Sequence, residues 1–535
     1  MLLLRNEAGK ETGTVQADAN VGMNRCIKMG FHMNKMTTQA KETASEGLSR
    51  VKTVCLVMPD YAPWRTAARE LLMAYLPNGD IQFDGGADAA IRVTDAPGGL
   101  KVEAAMPECP IAERIFEVTA GQPLDSERFK TLFYHFLKEL FNRPLAWGSL
   151  TGIKPVKIAH HYMAGEGLNR QQAGDKMMRV YDVSAKKAAL AAGIAHREMP
   201  IVYPLDDHRV SVYVGIPICP AKCSYCSFVS TIADKKGVLC ADYLQGLISE
   251  IRQMGAWMIK QQLRVDTLYI GGGTPSVLSV RQIERLLAAL KKSRLIHSKL
   301  REFTFEAGRP ETTTPEKLAV LKAFGVDRLC LNPQSMNDET LAAVGRFHTA
   351  ADIERVYRQI RGVGFGCVNM DLIAGLNQET PAQFLTSLDR VVAMRPENLT
   401  VHSLAIKKGS RMKAAGGHRY TQLYDAAFYD QVHQKLAVAG YEPYYMYRQK
   451  YAQGNGENIG YCLTGHPGIY NTLMMAEKQT IIGVGAGSSG KVYHAQTNRF
   501  NKVFTVKDIR TYNQRGQQVI DQKLAAYQAY LHAKV

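Results

Sequence analysis

Three cysteines in one short stretch are the residues of this chain best suited to chemistry. Cys219, Cys223 and Cys226 have the spacing C-x3-C-x2-C and follow directly after the apolar stretch 210–216. Three thiolates on one loop can hold three irons of a [4Fe–4S] cluster and leave the fourth iron open to another molecule. The spacing therefore predicts an iron–sulfur cluster that takes part in a reaction.

Zinc binding and unligated thiols are the alternatives to a cluster at the triplet. A zinc site usually has four ligands, often as two separated pairs. No second pair stands nearby, and Cys240, which lies just before a helical pattern, has no close cysteine partner. The cluster is favoured, and zinc or free thiols stay open as alternatives at this point.

The composition is typical of a soluble globular protein, with 46% hydrophobic and 21% charged residues among 535. Such a length predicts two or three domains. The ten cysteines are scattered without paired spacing, which favours a reducing compartment. The apolar run after Met1 is too short for a signal peptide, and nothing reaches the ~20 apolar residues of a membrane span. We therefore expect a cytoplasmic protein without a membrane span.

The formal charge of +17 is spread along the chain. The segment 491–535 holds eight Lys or Arg against two Asp, but it lacks the interleaved aromatics of a recognised nucleic-acid module. A solvated basic face is the favoured interpretation, with no nucleic-acid partner.

Periodicity divides the chain into five segments. Residues 1–50 have weak periodicity and are expected to form a mobile extension, and 51–145 predicts a small α+β domain. A helical bridge is expected over 146–205. Strands and helices alternate from 206 to 440, and 441–535 is expected to be a mainly helical region that covers the substrate.

The alternating segment predicts six strands, at 210–216, 267–270, 302–306, 328–331, 366–373 and 399–404. Alternation of this kind implies right-handed βαβ units and a parallel sheet. Six units are too few for a closed eight-stranded barrel. The fold class is therefore α/β, an open partial (β/α)6 barrel with a small N-terminal α+β domain.

Polar residues and glycines follow the predicted strands, and parallel barrels carry their chemistry at those strand ends. Three consecutive glycines, 271–273, let the backbone approach a ligand closely, and the phosphate-loop and dinucleotide motifs are absent. The other strand ends carry groups that suit an ammonium, a ribose diol and a carboxylate. These groups are Glu306, Gln334, Arg346 and Asp371.

Further motifs accompany these residues: Tyr213-Val-Gly-Ile-Pro, Tyr225 within the triplet, Gly271-Gly-Gly-Thr-Pro-Ser, Val344-Gly-Arg-Phe-His-Thr and Asn369-Met-Asp-Leu-Ile-Ala-Gly-Leu. Together they resemble the radical S-adenosylmethionine (SAM) enzymes, and among these the oxygen-independent coproporphyrinogen III oxidases and their relatives. The segments 147–158, 305–310, 447–450 and 477–487 resemble the HemZ-type branch of that family.

The resemblance implies a [4Fe–4S] cluster on Cys219, Cys223 and Cys226, with SAM at the open iron. It implies that Tyr213 and Tyr225 border SAM at the catalytic centre. The residues that it assigns to SAM binding are Tyr213, Tyr225, Gly272, Gly273, Thr274, Glu306, Gln334, Arg346, Asp371 and Ala405.

The activity that the resemblance implies is the anaerobic oxidative decarboxylation of two propionates of coproporphyrinogen III to vinyls, which gives protoporphyrinogen IX. A SAM-derived 5′-deoxyadenosyl radical would start it. The expected partners are this tetrapyrrole and a one-electron reductant such as flavodoxin or ferredoxin, with the protein acting as a monomer. Candidate cations for the substrate carboxylates are Arg309, Lys407, Lys408, Arg411 and Arg448.

The chain departs from the better-studied oxidases at two positions. Those enzymes have a histidine after Tyr-Val and a further cysteine after the triplet, where this chain has Gly215 and Phe228. Relatives with the same core act as haem chaperones, and a radical SAM enzyme that methylates or opens a tetrapyrrole ring is another alternative.

Overall fold

The structure, a computed structural model, describes residues 53–58, 64–76, 79–83, 87–96, 99–106, 109–117, 125–152, 154–234, 236–407, 409–415, 423–449, 452 and 456–532. The expected extension 1–50 and the substrate candidate Lys408 lie outside these residues. No helix within these ranges combines the length and the apolar character needed to cross a membrane.

The N-terminal part of the described chain is a sheet with two helices and a core of its own. Its strands are β1 (Thr53–Val57), β2 (Asp80–Gln82), β3 (Ala89–Ala96), β4 (Gly99–Met106) and β5 (Cys109–Glu117), in the order β2-β1-β3-β4-β5. The helices Arg65–Tyr75 and Ser126–Leu140 bury their apolar faces in the same core as these strands. The sequence did not predict the first of them, whose N-cap residue, Trp64, makes no side-chain capping bond.

The helices of the rest of the chain have the following bounds. They are Val156–His160, continued by the π-helix His161–Gly165, then Arg170–Tyr181, Ala185–Val202, Val238–Lys260, Val280–Lys292, Pro315–Ala323, Asp338–Ala343, Ala350–Val363, Pro381–Met394, Arg411–Ala414, Ala426–Val438, Ile469–Ala476 and Ile509–Leu531, with short 3-10 turns at Pro275–Val277, Pro310–Thr312 and Leu376–Gln378.

The strands of the rest of the chain are β6 (Arg209–Ile216), β7 (Ile218–Cys219), β8 (Thr231–Ile232), β9 (Arg264–Gly272), β10 (Glu302–Glu306), β11 (Arg328–Cys330), β12 (Cys367–Ala374), β13 (Asn398–Ser403), β14 (Glu442–Arg448), β15 (Glu457–Cys462), β16 (Thr480–Val484), β17 (Gly490–His494) and β18 (Arg499–Val503). Eleven of them form one sheet in the order β14-β15-β13-β12-β11-β10-β9-β6-β16-β17-β18, and β7 pairs with β8 alone.

The six predicted strands are β6 and β9 to β13, and each lies parallel to its neighbour in chain order. This confirms the predicted α/β fold with a parallel sheet. Apolar side chains of these strands and of the helices between them share one large core. The carboxyl ends of all six strands therefore lie along one edge of the sheet, where their loops can form one site.

The C-terminal region differs from the expectation of a mainly helical segment. Besides the helices Ile469–Ala476 and Ile509–Leu531 it contains the five strands β14 to β18. β15 pairs antiparallel with β13, and β16 pairs parallel with β6, so this region extends the sheet at both edges. Edge strands of an open sheet carry unpaired backbone groups, and these additions satisfy them.

Candidate active site

The three cysteines lie on a loop that leaves β6 and is held by backbone bonds on both sides. On one side, Gly273 N donates to Ile216 O at 2.9 Å and Thr274 N donates to Ile218 O at 2.8 Å. On the other side, Ser224 N donates to Val344 O at 3.0 Å. The loop that carries the triplet is therefore fixed between the glycine run and the segment before Arg346.

Side chains would not fit in the glycine run 271–273. A Cβ on Gly273 would lie 2.5 Å from Ile218 O and 2.8 Å from Ile218 N, which are backbone atoms of the cysteine loop. Gly272 has a φ of +113°, a conformation that side chains disfavour. The three glycines thus allow the β9 end to lie directly against the start of the cysteine loop.

Glu306 ends β10 and already holds the glycine run. Its two carboxylate oxygens accept bonds from Tyr269 Oη at 2.6 Å and from Gly272 N at 3.0 Å. Burial raises the pKa of this carboxyl to about 7, and the bonds from Tyr269 and Gly272 only partly oppose that effect. A carboxylate of this kind is suited to a cationic ligand group such as an ammonium.

Gln334, which follows β11, lies beside Asp371, which belongs to the neighbouring strand β12. Gln334 N donates to Asp371 O at 2.8 Å, and Gln334 adopts a φ of +71°. The Gln334 side-chain oxygen is buried without a hydrogen-bond partner. Burial disfavours the charged form of Asp371, but the contacts with His402 and Asn369 outweigh it and lower the pKa of this carboxyl. An ionised carboxylate beside an unpartnered amide oxygen is suited to accept bonds from a diol.

Arg346 is more constrained than the sequence implies. Its guanidinium donates to Asn332 O at 2.7 Å, Gly308 O at 3.2 Å and Tyr225 Oη at 3.3 Å, and Nε lies 3.4 Å from a nitrogen of His348. Arginine has five N–H donors, and these contacts use four of them. The residue fixes the loops around the triplet, and its expected grip on a carboxylate stays a prediction.

Aromatic side chains form the floor between the strand ends. Tyr213 and Tyr269 occupy opposed positions on β6 and β9, and their rings stack at 5.9 Å. Tyr470 stacks on Tyr269 at 4.6 Å. Tyr225 packs against Val344 in a small apolar cluster beside the triplet. The sequence did not predict Tyr269 and Tyr470, although the inward register of Tyr269 with Tyr213 was a usable signal.

The two remaining predicted SAM residues are held by the backbone. The Thr274 side chain is 3% exposed, directly after the glycine run. Ala405 follows β13 and forms an isolated antiparallel bridge with Ala452.

His402, on β13, is a site residue to which the sequence assigned no role. Its Nε2 lies 3.8 Å from Asp371 Oδ2, and its Nδ1 lies 3.4 Å from Tyr447 Oη.

The structure separates the candidate substrate cations into two groups. Arg309 and Arg448 are buried and already bonded within the protein. Arg309 donates to Cys223 Sγ at 2.9 Å, and Arg448 donates to Leu150 O at 2.7 Å. Lys407 and Arg411 are exposed on the segment after β13. This segment lies beside the cysteine loop, because Met412 N donates to Ser224 O at 2.9 Å. The substrate role expected for Arg309 and Arg448 does not agree with their buried contacts.

The two departures from the better-studied oxidases have structural counterparts. A side chain at Gly215 would collide with Ser488 Oγ, so the glycine and the segment after β16 fit each other. Phe228 is 71% exposed and lies just after the triplet. The structure thus explains Gly215 by packing, and it places Phe228 on the surface.

The residues around the triplet suit an iron–sulfur cluster and SAM. All three cysteines are free of disulfides. Within the described ranges, no three His, Cys, Asp or Glu side chains converge as ligands of one metal ion. A cluster does not require such convergence, because each thiolate ligates a different iron. The unpartnered Gln334 oxygen and the carboxylate of Glu306 supply acceptors on the same edge of the sheet.

Residues 213–391 match the family described as the radical SAM superfamily, so the chain contains a radical SAM domain. The match runs from Tyr213 on β6 past the end of β12, so it includes the cysteine loop and the glycine run, and it ends before β13. Members of this superfamily bind a [4Fe–4S] cluster and SAM, and these two groups are the cofactors of this chain. Members also need an external reductant.

Among individual proteins, a HemZ-type relative covers most of the chain. The chain is 38% identical over 389 residues to the oxygen-independent coproporphyrinogen-III oxidase-like protein HemZ of Bacillus subtilis (strain 168), covering 71% of this chain and 76% of that protein. It therefore belongs to the family of coproporphyrinogen-III oxidase-like proteins of the HemZ type.

The chain is also similar to two further proteins. The chain is 31% identical over 287 residues to the heme chaperone HemW of Escherichia coli (strain K12), covering 53% of this chain and 70% of that protein. A solved structure of the coproporphyrinogen III oxidase HemN from Escherichia coli has a TM-score of 0.48 and 21% identity, covering 61% of this chain and 73% of that chain.

Proposed function

We propose that the protein is a coproporphyrinogen III oxidase that works without oxygen and converts two propionates to vinyl groups. One observation supports a single site for the radical reaction. The cysteine loop, Glu306, Gln334 and Asp371 all lie on one edge of the parallel sheet. The substrate is supported by the HemZ match, which reaches well beyond the residues of the superfamily domain.

When bound, the cluster and SAM supply the 5′-deoxyadenosyl radical that takes a hydrogen atom from a propionate, after which CO2 leaves and one electron passes to an acceptor. The chain binds and orients the reactants. Cys219, Cys223 and Cys226 would each ligate one iron of the cluster and leave the fourth iron open. Glu306 and the backbone of Gly272 and Gly273 hold the SAM ammonium end.

The remaining residues hold the nucleoside and the substrate. Gln334 and Asp371 accept the ribose hydroxyls, since one is unpartnered and the other is ionised. We assign Lys407 and Arg411 to the substrate carboxylates, and their exposure beside the cysteine loop supports this assignment. Tyr213 and Tyr225 border SAM. A monomeric state, a cytoplasmic location and the absence of a nucleic-acid partner remain predictions.

Anaerobic incubation of the cluster-reconstituted protein with SAM, dithionite and coproporphyrinogen III tests this proposal. We expect the tetrapyrrole to lose the mass of two CO2 and four hydrogen atoms, and only when both SAM and reductant are present. Asp371→Ala should abolish most of this loss while the cluster absorbance is unchanged. Asp389→Ala, which removes an exposed ion pair with Lys435, is the matched control and should behave as wild type.

The main competing function is that of a haem chaperone, because HemW proteins share the core of the chain. It makes the opposite forecast for the same samples. An unchanged tetrapyrrole mass, together with one tightly bound haem per chain and SAM cleavage uncoupled from it, would refute the oxidase and favour the chaperone.

A further inference from the structure

Arg309 is a buried cation directed at the cysteine triplet. It lies on the loop after β10 and is 4% exposed. One guanidinium nitrogen, Nη2, lies 2.9 Å from Cys223 Sγ and 3.1 Å from Ala221 O. The side chain therefore grips the loop twice, once through a sulfur and once through the backbone.

One further contact holds the guanidinium, and two others hold the Arg309 backbone. Glu311 Oε1 lies 3.3 Å from Arg309 Nη1, and Glu311 Oε2 lies 3.1 Å from His348 Nδ1. The Arg309 carbonyl accepts bonds from Thr312 Oγ1 at 3.1 Å and Thr313 Oγ1 at 2.9 Å. Both ends of the residue are thus fixed, so the contact with Cys223 does not depend on a free, mobile side chain.

We propose that Arg309 is a positioning residue that raises the reduction potential of the cluster through Cys223. This inference rests on the proposed assignment of Cys223 as a cluster ligand. Reduction adds one negative charge to the cluster, and a permanent cation in a buried site stabilises the more negative state. Hydrogen bonds to ligand sulfurs are among the features that set the potential of such clusters.

The consequence concerns delivery of the first electron. A higher potential makes the cluster easier to reduce by an external one-electron donor. The same guanidinium is shielded from a substrate carboxylate, because Arg309 is 4% exposed and its terminal nitrogens contact Cys223, Ala221 and Glu311. Arg309 therefore acts on the cluster side of the site.

An EPR-monitored redox titration of the full-length reconstituted protein tests the proposal without using turnover. Arg309→Met should make the cluster at least tenfold harder to reduce, which is about 59 mV more negative for a one-electron couple. Arg309→Lys keeps the charge and should shift the potential less. Arg301→Met, which removes a cation paired with Asp266 at the other end of β10, is the matched control and should leave it unchanged.

The proposal fails if Arg309→Met has a full cluster with the wild-type potential, or if Arg301→Met shifts the potential as much. If Arg309→Met assembles no cluster, the reduction potentials of Arg309→Gln and Arg309→Lys are compared instead. A more negative potential in the glutamine variant than in the lysine variant supports the proposal, and equal potentials in these two variants refute it. Cys223→Ala separates the two claims, because a full iron content in that variant would refute the ligand assignment itself.

Discussion

At the scale of single residues, Glu306 is the group whose charge state links SAM binding to pH. Burial raises its pKa to about 7, so the free site holds a proton at lower pH. Pairing with the SAM ammonium needs the ionised form. The affinity for SAM should therefore be full above pH 7 and fall as the pH drops through that value.

Isothermal titration of the cluster-loaded protein with SAM at several pH values measures this effect. For a single linked proton, we expect the dissociation constant to rise by up to about tenfold per pH unit below pH 7. Glu306→Gln should bind SAM more weakly, and its affinity should not change over the same range. A wild-type affinity that is flat between pH 5 and 8 would contradict this role.

Single residues also show how far the sequence could predict the site. Glu306, Gln334 and Asp371 were predictable because polar residues at or near the carboxyl ends of parallel strands must lie along one edge of the sheet. Arg309 was predicted as a substrate contact, and the structure turns it toward Cys223. Sequence position places an arginine on a loop, but only packing decides which of two neighbouring groups it meets.

At the scale of elements, the fit between the glycine run and the cysteine loop determines whether the cluster ligands are in place. A methyl group on Gly273 would meet backbone atoms of Ile218, which cannot rotate away. Overpacking of this kind typically costs about 1–3 kcal/mol. Gly273→Ala should therefore displace the loop and lower both cluster content and SAM affinity, while the sheet stays folded.

Iron analysis, SAM titration and circular dichroism of the variant check this outcome. Gly362→Ala is the matched control, because a Cβ there meets nothing within 4 Å in the helix Ala350–Val363. It should leave cluster content and SAM affinity unchanged. Equal cluster content in the two variants would show that the close approach is unimportant.

The elements differ in how well the sequence predicts them. The six parallel strands each carry an apolar run that ends in glycine or polar residues, and that local pattern is sufficient. β16 carries a similar run, but its partner β6 is far away in the sequence, and no local signal indicates that they pair. β14 and β15 likewise join the sheet through β13, after a region expected to be mainly helical.

At the scale of the whole molecule, a buried ion pair links the last helix to the site. Lys523 Nζ lies 2.6 Å from Glu250 Oε1, and both side chains are almost fully buried. Lys523 also donates to Gly483 O and Gly485 O at 3.2 Å each. The segment after β16 lies against Gly215, directly before the cysteine loop, so the helix Ile509–Leu531 supports the site from behind.

Lys523→Met should destabilise the protein strongly, because it leaves Glu250 as an unpaired buried charge. Breaking such a pair typically costs about 3–5 kcal/mol. The midpoint of thermal unfolding should fall by several degrees relative to Lys507→Met, an exposed control in the same region. The double variant Glu250→Gln/Lys523→Met should recover part of the loss. Equal midpoints for the two single variants would refute the importance of the pair.

The segment between the N-terminal sheet and β6 also joins the large sheet through buried charge. Trp147 Nε1 donates to Glu457 Oε1 at 2.5 Å, and Lys187 Nζ lies 3.0 Å from the same carboxylate on β15. The helices after the N-terminal sheet are thereby anchored to the strands around the site. This agrees with a family match that extends well beyond the superfamily domain.

The most direct test of the central claim follows the hydrogen atom that the radical removes. Coproporphyrinogen III deuterated on its propionate side chains is incubated anaerobically with the reconstituted protein, SAM and reductant, and the 5′-deoxyadenosine is analysed by mass spectrometry. The proposed site predicts 5′-deoxyadenosine that contains deuterium, formed together with the vinyl product. Unlabelled 5′-deoxyadenosine from active SAM cleavage, with the substrate intact, would contradict it.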